Sequence, residues 1–202
     1  MLSFDPRNNA ERENYKLLIG SIVPRPIAFV TTVAEDGPIN GAPFSYFNVV
    51  TSNPPMISVS TQRKNGELKD TARNILGNKE FVIHIVDEQN VEQINITAAS
   101  LPPNESEIEK ANLTLVDSEI VSVPGIKEAK VRLECTLEHS VELGENNTIG
   151  ADLLIGKVVR FHIDEKIYEA GRINHETHGA VSRLAGSNYA KIGDVFSIER
   201  PE

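Results

Sequence analysis

Apolar and polar positions alternate most clearly between Lys130 and Leu143. There Val131, Leu133, Cys135, Leu137, Val141 and Leu143 interleave with Arg132, Glu134, Thr136, Glu138, Ser140 and Glu142. A period of two puts successive side chains on opposite faces of a strand, so the pattern predicts one buried and one wet face, with His139 on the apolar side. A turn at Gly144 to Thr148 leads to a second long strand-like run, Leu153 to Ile163. Ile27 to Val33 is rich in β-branched residues and reads as a buried strand, Met56 to Ser60 alternates, and Phe81 to Val86 predicts a short strand buried on both faces. The period lengthens to that of a helix between Glu67 and Leu76, where Leu68, Thr71, Ala72, Ile75 and Leu76 share a face and Gly77 offers a C-terminal cap. Asp5 before Pro6 predicts a short helix with Tyr15, Leu18, Ile19 and Ile22 as its stripe, and Val91, Ile94 and Ala98 suggest another, with Asp87 available to cap it. Pro24-Arg25-Pro26 forces an extended entry to the first strand, Glu35-Asp36-Gly37-Pro38 makes its turn, and Leu101 to Asn112 reads as a surface excursion. Strands joined by polar turns, with short helices inserted, predict a mainly β chain, an antiparallel barrel or sandwich.

Composition narrows the function more than the fold. The 202 residues are 40% hydrophobic and 24% charged, which suits a single soluble domain spanning residues 1–202. A chain of this length buries about 70% of its unfolded surface and needs no covalent staple. The one cysteine, Cys135, excludes an intrachain disulfide framework and a cysteine-based zinc cluster, and its place in the alternating pattern assigns it to the core. The N-terminus has no basic region followed by an apolar run, and no run of 18 apolar residues occurs, so the expected location is the cytoplasm, with no membrane association. A net charge of −9 argues against nucleic acid as a partner. It also requires that any anionic ligand be met by a local cationic cluster.

Two stretches carry candidate chemistry. Gly41-Ala42-Pro43-Phe44-Ser45-Tyr46-Phe47 combines small, aromatic and hydroxyl residues between two strands. It reads either as the floor for a flat ligand, with Pro43 removing a backbone donor, or as an edge strand closed by a proline-containing turn. Arg63, Lys64, Lys69 and Arg73 fall within eleven residues around the start of the helix predicted from Glu67, with Ser60, Thr61, Asn65 and Thr71 as neutral partners. A helix N-terminus presents unpaired amides and partial positive charge, which suits a phosphate; the other reading is a solvated helix face on which Glu67 and Asp70 pair with the cations. His175-Glu176-Thr177-His178 lacks the spacing that puts two imidazoles on one helix face, and predicts a loop rather than a metal site. His84, within an apolar strand, reads as a satisfied core residue rather than a base. No nucleophile elbow, P-loop or dinucleotide fingerprint occurs.

Further motifs carry a family resemblance. Pro24 to Thr32, Asn40 to Phe47, Asn53-Pro54-Pro55, Lys69-Asp70-Thr71 with Asn74-Ile75, and the late Arg183 to Tyr189 segment together resemble the flavin reductase-like, FMN-binding split-barrel proteins. Ala185 departs from that pattern, as it stands where the family has the first of two glycines, and His84 stands where a polar amide is expected. The resemblance implies an antiparallel six-stranded split β-barrel with a few short helices, a homodimer, and FMN held non-covalently near the dimer interface. By that likeness Thr31, Asn40, Ala42, Pro43, Phe44, Ser45, Phe47 and Asn48 would line the isoalloxazine and ribityl part. Ser60, Arg63, Lys64, Lys69, Asp70 and Thr71 would organise the phosphate end. The implied activity is that of an oxidoreductase taking hydride from NAD(P)H onto flavin and passing electrons to an acceptor that the sequence does not name. The alternative is a non-enzymatic FMN-binding electron carrier or flavin store. No side chain is nominated as a general acid or base, since the redox chemistry belongs to the cofactor.

Overall fold

The structure, a computed structural model, describes residues 1–35, 37, 39–99, 106–146 and 148–201. Asp5 accepts the Arg7 amide and opens a short turn at Pro6–Asn8, and α1 (Glu11–Ser21) follows. The expected stripe does not bury this helix, because Ile19 packs inward while Tyr15, Leu18 and Ile22 are exposed. Arg25 anchors it instead. The buried guanidinium donates to the carbonyls of Ile19 (2.8 Å) and Ile22 (2.5 Å) at the helix C-terminus, and to Leu184 O in the tail (3.0 Å). A cation there satisfies carbonyls that lack an intrahelical partner and complements the helix dipole. Arg25 therefore has a structural role.

After β1 (Arg25–Pro26), the chain forms β2 (Ala28–Val33), β3 (Ile39–Phe44), β4 (Phe47–Ser52) and β5 (Pro55–Gln62). Two residues of the turn between β2 and β3, Asp36 and Pro38, lie outside the described residues. Next come α2 (Asp70–Asn78), β6 (Glu80–Ile85), α3 (Val91–Ile96) and α4 (Glu107–Lys110). Strands β7 (Leu115–Val116) and β8 (Gly125–Ile126) precede the two long strands β9 (Val131–Glu145) and β10 (Thr148–Ile163). The chain then makes the small hairpin β11 (Tyr168–Glu169) and β12 (Arg172–Ile173), the one-turn α5 (His175–His178), β13 (Val181–Arg183) and β14 (Tyr189–Lys191). Among the described residues, no helix is long and apolar enough to cross a membrane.

The principal sheet is antiparallel, in the order β3-β2-β6-β9-β10-β5-β4. Its two edge strands, β3 and β4, are consecutive in the chain and joined only by Ser45 and Tyr46. A flat sheet of this order would hold its edges roughly 29 Å apart, at about 4.8 Å per strand. Three peptide steps allow Phe44 and Phe47 a separation of at most roughly 11 Å. The sheet must therefore curl until its edges nearly meet. The seam is closed by chain rather than by a ladder between β3 and β4, which makes a split barrel. The strands of this sheet number seven rather than the six that the resemblance implies; the segment read as a floor or as an edge strand closed by a turn contributes to two of them, edge strands β3 and β4, whose alternation is masked by Gly41, Pro43 and the Ser45–Tyr46 bend.

One core cluster fills the barrel, with Ala28, Val30, Phe44, Val59, Phe81, Ile83, Leu133, Cys135 and Leu154 among its members, and Ala72 and Ile75 of α2 close it. A second, outside the barrel wall, packs Phe29, Val86, Ile94, Ile108 and Ile126. Local differences from the sequence reading have physical causes. Helix α2 starts three residues later than expected and runs past Gly77, and Lys79 in the left-handed region (φ 63°) ends it. Asn90, not Asp87, takes the cap position of α3; Asp87 accepts the Gln89 amide in the turn before it. On β9, Glu134 is buried rather than wet, since it accepts the amides of Glu119, Ile120 and Val121 and bonds the His162 ring at 2.5 Å. Burial pushes its carboxyl up, but these bonds outweigh that and hold its pKa at about 2. Beyond Leu137 the β9 side chains are exposed, so His139, Val141 and Leu143 are not core residues. The described part of the 101–112 excursion is anchored by buried Ile108, whose Cδ1 occupies the space a Cβ on Gly41 would need.

Candidate functional site

A cavity of about 600 Å³ opens where β3, the Lys64–Glu67 turn, the start of α2, the end of α3 and Glu107 of α4 converge. Side-chain bonds fix α2 at the end of the β2–β3 pair. Thr71 Oγ1 donates to Asn40 Oδ1 (2.9 Å), buried Asn74 Nδ2 to Thr32 Oγ1 (3.0 Å), and Asn78 Nδ2 to Val33 O (2.5 Å). Lys69, the cap residue, has extended dihedrals (φ −68°, ψ 153°) and makes no side-chain capping bond. Among the described residues, no side chain accepts from the first amides of α2, and the positive end of the helix borders the cavity.

Lys69 lines the same cavity, its Nζ 5.6 Å from the Phe44 ring centroid. Among the described residues, no carboxylate lies within ion-pair distance of Lys69 or Lys64. The Lys69 side chain reaches solvent, yet partial burial lowers its ammonium pKa, as expected of a cation lacking a counter-ion. Asp70 is engaged by Arg73. Glu67 and Glu107 add negative charge to the rim, while Ala42, Ala98 and Ala99 leave the walls low.

The structure brings together Asn40, Ala42, Pro43, Phe44, Lys64, Lys69, Asp70 and Thr71 around this cavity. Thr31, Ser45, Phe47, Asn48, Ser60 and Arg63 do not line it. Thr31 is buried and donates to Pro124 O at 2.7 Å, and Phe47 packs against the barrel core. Asn48 accepts the Val49 amide, and the Ser60 amide donates to Tyr46 O, tying the seam to β5. Arg63 is engaged by Asp152 and Glu142. The sequence reading did not single out Thr97, Ala98, Ala99 and Glu107 as site residues, since their pattern signalled only a helix end and an excursion. Asn65 was noted as a neutral partner, and with Gly66 (φ 56° and 80°) it shapes a tight turn at the lip.

Geometry bears on two histidine readings. His84 is fully buried; Nδ1–H donates to Phe29 O and Nε2 accepts the Ile126 amide, each at 3.0 Å. This neutral tautomer is held because burial lowers the ring pKa to about 3, so His84 is a satisfied core residue. The segment 175–178 is a helical turn rather than a loop, capped by Asn174 and braced by Lys130 Nζ on the Thr177 and His178 carbonyls. Among the described residues, no group of three potential metal ligands assembles.

Comparison with known proteins places this arrangement. The family model described as the flavin reductase like domain matches residues 19–179. The crystal structure of nitrilotriacetate monooxygenase component B from Bacillus cereus superposes with a TM-score of 0.96 at 59% identity, covering 98% of each chain. The 2-nitrobenzoate 2-nitroreductase NbaA of Pseudomonas fluorescens does so with a TM-score of 0.88 at 27% identity, over 99% of this chain and 96% of its own. The uncharacterised Bacillus subtilis protein YwrF is 52% identical over the full length of both chains. The curled seven-stranded sheet, the cavity at its open edge and these similarities together assign the chain to the flavin reductase like family.

Proposed function

We propose that this chain is a flavin-dependent oxidoreductase that holds FMN in the cavity at the start of α2 and draws its reducing equivalents from NAD(P)H. One observation carries the reading: α2 begins without a side-chain cap beside Lys69, a partly desolvated cation that no described carboxylate neutralises. A phosphate monoester supplies the missing acceptors and the missing charge together. The cavity volume falls within the range of small-molecule and cofactor sites, and the alanines on its walls leave room for a flat ring system.

Within that site Lys69 and the first α2 amides would hold the phosphate, with Lys64 at the mouth as a second cation. The Thr71–Asn40 bond keeps the helix start in register with β3. Among the described residues β3 pairs with a neighbouring strand on one edge alone, and Pro43 removes a donor from the strand, so Ala42 to Phe44 form a stiff border. When bound, the flavin would supply the electron-transfer chemistry, and the protein would supply binding and orientation. The relatives named as a monooxygenase component and a nitroreductase support the redox class, while the electron acceptor here stays open. We further propose a cytoplasmic homodimer in which residues 1–202 act as one FMN-binding unit; the lone, buried Cys135 accords with a reducing setting.

The deciding experiment is an absorption spectrum of the purified protein reconstituted with FMN, recorded before and after anaerobic NADH or NADPH. Flavin bands that bleach with a nicotinamide nucleotide support the reductase. Bands that bleach only with dithionite would reject the NAD(P)H role, and a protein that takes up no flavin would reject the reading as a whole. Lys69→Ala is expected to weaken FMN binding roughly tenfold or more by loss of a charge-assisted bond, with little change for riboflavin. Equal loss for both ligands in fluorescence titrations would overturn the assignment of Lys69 to the phosphate.

A further inference from the structure

Arg63 stands next to Lys64 in the sequence, but its guanidinium belongs to a different environment. Nε and Nη2 bond the two carboxylate oxygens of Asp152 (2.9 and 2.7 Å), Nη2 also reaches Glu142 Oε1 (2.7 Å), and Nη1 faces Gly66 O (3.4 Å). The Arg63 side chain is 10% exposed, Asp152 3% and Glu142 62%, so the pair with Asp152 is the enclosed part of the cluster. Asp152 occupies the middle of three strands, opposite Thr61 of β5 and Glu142 of β9. The Arg63 amide adds a bond to Gly150 O at 2.8 Å.

The turn at the cavity lip begins one residue later. Lys64 and Glu67 exchange two backbone bonds (3.3 and 3.1 Å) around Asn65 and Gly66, both at positive φ, which is the geometry of a tight two-residue hairpin turn. Such a turn is stiff internally and moves as a body on its stem. Its stem on the β5 side is Arg63, held on one side by β10 and on the other by the Gly66 carbonyl of the turn itself. A phosphate that recruited this guanidinium would have to displace Asp152 and leave a buried carboxylate unpaired, which is strongly unfavourable.

We propose that Arg63 is a positioning residue: locked to Asp152, Glu142 and Gly66, it orients the Lys64–Glu67 turn and so places the Lys64 ammonium at the cavity mouth, without itself contacting phosphate. This rests on the reading of the cavity as a site for a phosphorylated flavin. It converts a cluster of apparent phosphate ligands into one set of contacts and one support.

The test is the preference for FMN over riboflavin, measured by flavin fluorescence titration on the full chain, with thermal unfolding recorded alongside. Arg63→Gln and Lys64→Ala are each expected to lower that preference about tenfold, and the double variant no further, since Arg63 acts through Lys64. Asp152→Asn is expected to follow Arg63→Gln. A merely structural role would weaken both flavins alike and leave the preference intact, which would overturn the inference. So would additive losses in the double variant, or tighter FMN binding in Asp152→Asn, where a freed guanidinium has reached the phosphate. Should Asp152→Asn fail to fold, Glu142→Gln removes only the exposed bond, and a loss of preference of roughly two- to fivefold is expected; an unchanged preference would count against the proposal. A wild-type protein that binds the two flavins equally overturns the phosphate reading and this inference with it. Preference retained in every variant overturns the inference alone.

Discussion

His84 has both ring nitrogens engaged and no route to water, so its proton count is fixed while that of the unfolded chain is not. Its native pKa of about 3 lies below the ordinary histidine value, so the unfolded state binds the extra proton as pH falls through 6.5. Stability is therefore fully present above pH 6.5 and declines toward pH 3, by about 1.4 kcal/mol per pH unit from this group alone. A urea titration at pH 7 and pH 5 is expected to show a loss of about 2 kcal/mol from it, and His84→Gln to flatten the slope. His178, whose pKa burial also lowers, acts in the same sense. Glu134, held at about 2, contributes stability that is lost only below its unfolded value near 4.5, so the two effects separate along the pH axis. The sequence showed that His84 sits in an apolar strand, which was enough to place it in the core. For Glu134 the alternating pattern pointed to water, because the three amides that receive it come from residues 119–121, where no periodicity marks a carboxylate-binding turn.

At the scale of elements, β2, β6 and the inner half of β9 were legible because period and β-branching agree there. Strand β3 was legible only as one of two readings, an edge strand, and β4 was not, since Gly41 and Pro43 carry a second demand. Gly41 shows it: a Cβ there would stand 2.5 Å from Ile108 Cδ1 and 2.6 Å from Phe29 Cζ. Phe29 is fully buried, so Ile108 and the helical turn that bears it must yield. Gly41→Ala is expected to cost about 1–3 kcal/mol by overpacking, read as a lower urea midpoint with an unchanged m-value. It is also expected to shift Glu107 from the cavity wall and weaken FMN binding; unaltered stability would show that α4 is not seated in this notch. The start of α2 was misplaced by three residues for a related reason. Leu68 does pack against the barrel core, which matches the helical period, but it does so from extended chain before the uncapped Lys69.

For the molecule as a whole, exposed apolar side chains occur along the chain, Val49 and Phe161 among them, and two groups lie near its ends. Tyr15 and Leu18 of α1 and Ile22 just after it are uncovered, and the tail after β14 leaves Phe196 and Ile198 80% and 83% exposed. Surfaces of this kind accord with the proposed homodimer. Each copy carries a net charge of −9, so association works against repulsion that salt screens. Sedimentation velocity is expected to show a particle of twice 22.2 kDa, with the dimer strengthened between about 0.05 and 0.5 M salt. A monomer at both salt levels would reject it. The Arg63 clamp has a further consequence in time. Its enclosed carboxylate partner, Asp152, lies 89 residues further along the chain. At about 5–20 residues per second, a ribosome delivers Arg63 roughly 4–18 s before Asp152. Until then β5 is a nascent edge whose terminal cation lacks its buried counter-ion. On the proposed role of Arg63, the lip of the candidate cavity is therefore set only with β10, late in synthesis, although every described residue that lines it has by then been made.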